Sequence, residues 1–249
     1  MKITFIGTSH GVPAADRYCA GYMIESGKDV YLIDASAPVA DEVLRLGREI
    51  TDVRAIFTTH IHGDHTAGLF HIADLVNWYY KEHTMEIYAP EQCFIDAIKN
   101  LILACAPTTS LHENRLIFRL IDPSVAYEDE NVKVTFIPTK HMLPYRSNAI
   151  LVTEKSSGKR ILFGGDFSHK IKHDDVPAII ANEELDAFIC EMAHFDASDI
   201  RPYLENCKVK DVYFTHVFPL VKYDHIREMA KELEVPIHTP NDSDVIVLD

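Results

Sequence analysis

The residues best suited to chemistry are three histidines and an aspartate in one short segment, Thr58-Thr59-His60-Ile61-His62-Gly63-Asp64-His65. Neutral imidazole and carboxylate together are the donors that zinc, manganese and iron accept. Gly63 frees the backbone where these side chains must crowd together. A polar surface turn is the alternative, but four ligand-type groups in one place favour a metal site.

The neighbouring segments predict how this motif is held. An apolar, β-favouring stretch at residues 53–57 precedes it. Apolar residues at helical spacing follow it and predict a helix over residues 67–80. The motif therefore sits on a turn from a buried strand into a helix, and such a turn can direct several short polar side chains toward one point.

Three more candidate ligands follow apolar β stretches later in the chain. The stretch 132–137 leads to His141, 161–163 leads to Asp166, and 212–214 leads to His216. Each is a weak signal alone, because a histidine after a strand is often structural and Gly-Gly-Asp is a common turn. Together, and in this order after the first motif, they indicate a site for two metal ions.

The remaining pattern alternates strands with helices, and no Pro/Gly/Ser-rich linker divides it. We expect one domain covering residues 1–249. Two halves, each with several strands, a polar turn and a helix, would stack sheet on sheet with helices outside. Pattern and composition alone reach only an α/β or α+β class.

These motifs resemble the signature of the metallo-β-lactamase superfamily, and the likeness runs from the first strand to His216. The resemblance implies a four-layer αββα sandwich that binds two divalent ions, with zinc expected and manganese or iron also suited. It further implies that one ion is held by His60, His62 and His141, the second by Asp64, His65 and His216, and that Asp166 bridges them.

Seven such ligands would leave open positions on both ions. A water between the ions would lose a proton near neutral pH and attack the substrate. We take Asp64 as a catalytic candidate as well as a ligand. The second ion would stabilise the oxygen on which charge develops. Asp34, which ends a strand, either orients a ligand imidazole or forms a turn.

Particular residues separate the branches of the superfamily. His62 argues against the redox-active diiron branch, which carries Glu there, and Asp166 argues against the thiolate-ligand β-lactam branch, which carries Cys. The short segment after His216 fits poorly with the helical region of hydroxyacylglutathione hydrolases. The opening loop, Gly7-Thr8-Ser9-His10-Gly11-Val12-Pro13, is similar to that of ribonuclease Z and related phosphodiesterases.

That branch carries a His-Glu-Ala-Thr motif whose histidine is the general acid. The corresponding place here reads Cys190-Glu191-Met192-Ala193-His194, so Glu191 matches and the histidine comes three residues later. We take Glu191 and His194 as catalytic candidates. His194 either protonates the leaving group from this new position or caps the next helix.

Two further residues are candidate substrate contacts at the mouth of the site. His10 belongs to the opening loop, where a loop hydrogen bond is its alternative role. Arg146 follows His141 and would suit an anionic substrate, but it would equally suit a surface ion pair.

The net charge of −14 disfavours general binding of nucleic acid or an anionic membrane. Ribonuclease Z usually has a long Gly/Pro-rich arm for transfer RNA, and no such insertion occurs here. We therefore expect a small-molecule substrate, do not expect tRNA or a membrane as partner, and leave a homo-oligomer open.

The five cysteines are odd in number and form no Cys-x-x-Cys pair. The N-terminus reads as a strand, and no apolar run is long enough to span a bilayer. We expect a soluble cytoplasmic protein with free thiols, with Cys105 and Cys190 packed in the core.

The sequence thus predicts a dinuclear metal-dependent hydrolase, with a small phosphodiester as the leading substrate. A carboxylic ester, lactone or thioester hydrolase would use the same site. A metal-containing sensor that binds its ligand without turnover is the alternative from another class.

Overall fold

The computed structural model describes residues 1–12, 14–105 and 110–248, so Pro13 of the opening loop lies outside the described residues. The strands are β1 (Lys2–Gly7), β2 (Gly21–Ser26), β3 (Asp29–Ile33), β4 (Val53–Phe57), β5 (Met85–Ala89), β6 (Leu116–Leu120), β7 (Tyr127–Glu128), β8 (Val132–Thr139), β9 (Ser147–Glu154), β10 (Arg160–Phe163), β11 (Leu185–Met192), β12 (Val209–Val217), β13 (Ile237–His238) and β14 (Val245–Val247). The helices are α1 (Val39–Arg45), α2 (Gly63–Thr66), α3 (Leu69–Trp78), α4 (Gln92–Cys105), α5 (Ile179–Asn182), α6 (Ala197–Leu204) and α7 (Lys222–Ala230), with single 3-10 turns at Ile50–Asp52 and His169–Ile171.

The strands form two sheets of seven, in the orders β14-β1-β2-β3-β4-β5-β6 and β13-β12-β11-β10-β9-β8-β7. Strands β3 to β6 are parallel, and so are β10 to β13. Strand β8 runs in the direction of β10, because both pair antiparallel with β9. Within each sheet, the strands that precede candidate ligands therefore end at the same edge.

The core between the sheets is largely aromatic. Phe57 of β4 packs its ring against Tyr88, Tyr127 and Phe136, with ring centroids 5.2, 5.1 and 6.0 Å away. In β8 the burial alternates, so that Val132, Val134 and Phe136 face this core. Strand β3 is buried at every position, as expected for a strand covered on both faces.

Helices cover the outer face of each sheet. Leu69, Ile72 and Val76 of α3 join the apolar layer outside the first sheet. Ile200 of α6 and Ile226 of α7 join the layer outside the second. The result is the predicted order of helix, sheet, sheet and helix.

Several details differ from the sequence-based expectations. The helix predicted over residues 67–80 is shorter, since α3 spans Leu69–Trp78, and a separate short helix, α2, lies within the first motif. Helix α6 was not predicted, since it contains Pro202 and buries only Ile200 and Leu204. The expectation of a buried Cys105 is wrong, because this residue ends α4 and is exposed, whereas Cys190 is buried.

All five cysteines are free. In the part of the chain that the structure describes, no helix is both long enough and apolar enough to cross a membrane.

Candidate metal centre

The seven predicted ligands come together where the two sheets meet at one edge. Two backbone hydrogen bonds join the sheets there, from Asn148 N to Thr59 O (2.9 Å) and from His216 N to Thr8 O (2.8 Å). The donor atoms form three overlapping groups, in each of which all atoms lie within 4.8 Å of one another. The groups are His60, His62, His141 and Asp166; Asp64, His65 and His216; and Asp166, Glu191, His194 and His216.

In the first group, three imidazole nitrogens converge. His60 Nε2 and His141 Nε2 lie 3.1 and 3.2 Å from His62 Nδ1, and each is 3.7 Å from Asp166 Oδ2. The Nδ1 of His141 donates to the carbonyl of Phe167 at 3.0 Å, so its Nε2 carries a lone pair. Lone pairs aimed at one another at such distances repel unless a proton or a cation lies between them.

The ring of His60 is oriented in the same way. The Thr59 hydroxyl donates to the Asp34 carboxylate at 2.8 Å and lies 3.0 Å from His60 Nδ1. Since the hydroxyl proton is engaged by Asp34, its oxygen accepts from His60 Nδ1–H. The Nε2 of His60 is thereby left with its lone pair facing the centre.

The second group lies on the other side of Asp166. His65 Nε2 is 3.6 Å from Asp64 Oδ2 and 3.6 Å from Asp166 Oδ1. His216 Nε2 is 3.1 Å from Asp64 Oδ2 and 3.8 Å from Asp166 Oδ2. Asp166 Oδ1 thus faces His65, whereas its Oδ2 faces His60, His141 and His216, so this carboxylate lies between the two groups.

Buried atoms without partners test whether metal ions fit here. Among the described residues, His65 Nε2, Asp166 Oδ1 and His216 Nδ1 are buried and make no hydrogen bond. Buried polar atoms are normally paired, and an unpaired one costs about 1–3 kcal/mol. A divalent cation would satisfy the first two atoms, and nitrogen with carboxylate oxygen is a donor set that zinc, manganese and iron accept.

The pKa values at the centre reflect the close packing of imidazoles and carboxylates. Burial, reinforced by the imidazole of His65, lowers the pKa of His60 well below its ordinary value. Burial also disfavours the charged form of His65, yet the carboxylates of Asp166 and Asp34 outweigh it and raise the pKa of His65 well above normal. Burial likewise opposes ionisation of Asp64, but His216 and His65 lower the pKa of Asp64 to about 2. Deprotonated carboxylates and a neutral His60 are the forms that bind metal.

Asp34 makes the contact expected of a residue that orients a ligand imidazole. It follows β3 with φ of 58°, in the left-handed region, and accepts from His65 Nδ1 at 2.7 Å and from Thr59 N at 2.8 Å. A Cβ at Gly68 would collide with the carbonyl oxygen of Ser36, so glycine is required where the helix meets the end of β3.

Glu191 and His194 lie beside the ligands at the end of β11. Glu191 accepts from Phe167 N (3.0 Å), Ala193 N (2.6 Å), His194 N (3.0 Å) and His194 Nδ1 (2.9 Å), so its oxygens are engaged. His194 Nδ1 is 3.6 Å from Asp166 Oδ2. Burial opposes the charge on His194, but Glu191 raises the pKa of this imidazole to about 9. Glu191 therefore holds His194, and the Nε2 of His194 is left for other contacts.

The two candidate substrate contacts have different surroundings. His10 is buried, with its ring centroid 6.2 Å from that of His216, and its Nδ1 accepts from Val12 N at 3.0 Å. It belongs to the wall of the centre. Arg146 forms an ion pair with Glu91 (3.3 Å), and its backbone N also donates to Glu91. The structure does not bring Arg146 into the ligand cluster.

Sequence reasoning missed several residues that support the ligands. Thr59 fixes the His60 ring, and the Thr8 carbonyl fixes the backbone of His216, whose φ is 52°. Gly11 packs against Asp64, since a Cβ there would lie 2.8 Å from Asp64 Oδ2. Only Thr59, inside the first motif, gave a usable sequence signal, because the other contacts are made by backbone atoms.

Comparison with known proteins places this arrangement in a family. A sequence profile of the family described as "Anti-Pycsar protein Apyc1" matches residues 1–216. The ribonuclease Z of Gloeothece citriformis (strain PCC 7424) is 31% identical over 147 residues, which are 58% of this chain and 45% of that protein. The ribonuclease Z of Picosynechococcus sp. is 31% identical over 144 residues, or 57% and 44% of the two chains. The chain thus spans less than half the length of these curated relatives.

Solved structures show the same fold. The metallo-β-lactamase fold protein YhfI from Bacillus subtilis superimposes with a TM-score of 0.79 at 20% identity, covering 98% of both chains. The short form of human tRNase Z gives 0.73 at 19% identity, with both chains fully covered. The predicted αββα sandwich is confirmed.

Proposed function

The chain belongs to the anti-Pycsar protein Apyc1 family of metallo-β-lactamase fold proteins, and from that premise we propose that it is a metal-dependent hydrolase of a small phosphodiester. The observation that carries the proposal is the convergence of ligand atoms with fixed orientations. His60 and His141 direct a lone pair inward, because the other ring nitrogen of each is hydrogen-bonded outward, and the bond from His65 Nδ1 to Asp34 points the Nε2 of His65 at the same centre. Outward hydrogen bonds that fix the ring orientation are typical of histidines that bind a metal ion.

We propose that the seven ligands hold two divalent ions, with Asp166 between them. When bound, such ions supply Lewis acidity that acidifies water and stabilises negative charge on a phosphoryl oxygen. The residues of the chain keep this centre rigid: Asp34 fixes His65, and the Phe167 carbonyl fixes His141. Zinc remains the expected metal.

His194 is assigned to the leaving group. Its Nδ1 and backbone N are both bound to Glu191, which prevents rotation of the ring. Its side chain is 31% exposed, so the Nε2 can reach a substrate bound at the ligands. We propose that Nε2–H donates its proton to the departing alkoxide, and that Glu191 stabilises the ring through Nδ1.

A small substrate is favoured by the net charge of −14, which gives no general attraction for the RNA backbone. The curated relatives are nevertheless ribonucleases Z, so tRNA belongs in any substrate test. We further propose that residues 1–249 act as one hydrolase domain, and the cytoplasmic location stays a prediction.

The test is turnover by the metal-loaded protein on a panel of substrates. The panel contains bis(p-nitrophenyl) phosphate, 3′,5′-cyclic mononucleotides, precursor tRNA and an acyl-homoserine lactone. We expect hydrolysis of the small phosphodiesters and its loss in Asp166→Ala. Asp186→Ala is the matched control, because the Asp186 carboxylate accepts from Lys210 Nζ at 2.7 Å and from Arg160 N at 2.9 Å instead of from a candidate ligand.

Each outcome is informative. Cleavage of tRNA alone would contradict a small substrate, and cleavage of the lactone alone would move the activity to carbonyl compounds. Tight binding of a substrate without turnover would favour a sensor. Equal loss of activity in Asp166→Ala and Asp186→Ala would point to folding damage and remove the support for the site.

A further inference from the structure

A cavity of about 500 Å³ opens beside the metal centre. This volume falls within the range of about 300–1,000 Å³ that is usual for small-molecule sites. The cavity is formed by residues between 9 and 12 and by residues 14–17 on one side, and by the end of β12 and the segment after it on the other. Its apolar and aromatic lining includes Val12, Ala14, Val217, Phe218, Leu220 and Tyr223.

The cavity adjoins the ligands through both of its walls. Val217 and Phe218 directly follow the ligand His216. His10 lines the cavity, and its ring centroid lies 6.2 Å from that of His216. Gly11, next to His10, packs against Asp64. A molecule whose phosphoryl group sits at the ligands would therefore have one substituent at the mouth of this cavity.

The charged side chains that line the cavity are not arranged to bind an anion. The guanidinium of Arg17 donates to Thr8 Oγ1 (2.8 Å), Pro240 O (3.1 Å) and Asn241 Oδ1 (2.6 Å). It also lies over the Tyr223 ring, 5.5 Å from the centroid. The acidic Asp16 is part of the same wall. The cation is thus already engaged, and the remaining surface suits an uncharged group.

The exposed aromatic ring in the cavity wall favours a flat ligand group. The ring of Phe218 packs on that of His10, with centroids 4.0 Å apart, yet its side chain remains 43% exposed. An exposed ring fixed at a cavity wall offers a flat face on which another ring can stack. We propose that the cavity binds a flat aromatic ester group of the substrate while the phosphoryl group lies at the metal centre. This inference rests on the proposed function and narrows the substrate to phosphodiesters that carry an aromatic group.

The test compares two ligands that cannot be hydrolysed, diphenylphosphinate and dimethylphosphinate. Both carry the same charged phosphinyl group, and only one carries aromatic rings. Isothermal titration calorimetry on metal-loaded protein gives both dissociation constants without any turnover. We expect diphenylphosphinate to bind at least about tenfold more tightly, the scale of one ring stacked on a protein aromatic.

Variants of Phe218 test whether this residue causes the tighter binding of diphenylphosphinate. Phe218→Ala is expected to remove most of the tenfold ratio, and Phe218→Leu, which keeps apolar bulk, is expected to lose part of it. Dimethylphosphinate should bind all three proteins within about twofold, which also shows that the variants are folded. The control is Trp78→Ala, since Trp78 is an exposed aromatic of α3 that does not line the cavity.

A ratio near one in the wild type, a ratio kept in a folded Phe218→Ala variant, or no binding of either ligand would overturn the proposal. Failure of the proposed function looks different. If no phosphodiester is hydrolysed but the ratio depends on Phe218, the aromatic site stands and the chemistry at the centre must be reassigned.

Discussion

At the scale of single residues, the hydrogen bonds behind the ligands decide which ring nitrogen faces the centre. Asp34 accepts from His65 Nδ1 at 2.7 Å. In Asp34→Asn, an amide N–H facing Nδ1 would favour the other tautomer, in which Nε2 carries the proton and cannot bind metal. We expect metal affinity to fall by about 10–100-fold.

Competition with a chelating dye measures this affinity. Asp41→Asn, an exposed aspartate of α1, is the control and should bind metal like the wild type. Unchanged affinity in Asp34→Asn would show that the Asp34 contact does not control His65.

The second prediction is that the effect of removing the His194 imidazole depends on the leaving group of the substrate. His194→Ala should lower kcat by about 10²–10⁴-fold on a phosphodiester with an alkoxide leaving group, because the alkoxide needs a proton. The loss should be much smaller on bis(p-nitrophenyl) phosphate, since p-nitrophenolate leaves without one. Steady-state kinetics on both substrates measures the difference.

The matched control for this comparison is His225→Ala on α7, where the side chain is exposed. Metal content should not change in either variant. An equal loss on both substrates in His194→Ala would contradict the proton-donor role and favour a structural one.

At the scale of elements, the segment between β13 and β14 supports a ligand from a distance. Asp242 accepts from Thr8 Oγ1 at 2.7 Å and from Tyr18 N at 2.6 Å, and the Thr8 carbonyl in turn accepts from His216 N. Asp242→Ala should free the opening loop and weaken metal binding by about tenfold. A metal titration monitored by calorimetry should show the loss in only one of two binding steps.

Asp244→Ala is the control for Asp242, since the Asp244 side chain accepts from Asn241 N within the same turn (2.7 Å). If both variants weakened both binding steps alike, the effect would be general destabilisation and the role of Asp242 in positioning His216 would be wrong.

The ends of strands are what made the ligands predictable from sequence. Apolar stretches before His60, His141, Asp166 and His216 gave strand positions close to those of β4, β8, β10 and β12. Strands running the same way in a sheet end at one edge, so the ligands meet. Strand β7, with two residues, and helix α6, with an internal proline, have too little local pattern to be recognised.

At the scale of the whole molecule, the edge of the sandwich opposite the metal centre is closed by a polar cluster. Tyr31 of the first sheet and Tyr127 of the second both donate to Asp129 Oδ2, at 2.6 and 2.7 Å. The backbone N–H groups of Asn131 and Val132 donate to Oδ1. Partial burial opposes ionisation of Asp129, but these hydrogen bonds outweigh it and lower its pKa.

This lowered pKa makes stability depend on pH with a definite sign. The pKa of Asp129 in the folded protein lies below the unfolded value of about 3.9. Its stabilisation is therefore complete above that value and is lost as the pH falls through the folded pKa. Asp129→Asn should lower the free energy of unfolding by about 1–2 kcal/mol at pH 7, and this difference should shrink toward pH 3.

Urea unfolding of metal-free protein at several pH values tests the prediction. Glu130→Gln is the control, because Glu130 forms an ion pair with the exposed Arg54 at 3.7 Å, and this variant should leave stability and its pH dependence unchanged. A difference that stays constant down to pH 3 would show that the charge on Asp129 does not stabilise the fold.

Long-range features of the molecule could not be predicted from the sequence. The cavity beside the centre joins the opening loop to residues some two hundred positions later, and no local pattern encodes that contact. The same applies to the carbonyl of Phe167 that orients His141. The side-chain types at strand ends could be predicted from the local sequence. Backbone contacts between distant loops could not, because they form only when the chain folds.

The central claim is that seven residues bind two metal ions that hydrolyse a phosphodiester. The most direct measurement is elemental analysis of the purified protein and of Asp166→Ala, paired with the rate of bis(p-nitrophenyl) phosphate hydrolysis as metal is added back. We expect two ions per chain in the wild type, activity that rises until the second equivalent is bound, and loss of both in the variant. No bound metal after reconstitution, or the same activity with and without metal, would contradict the account.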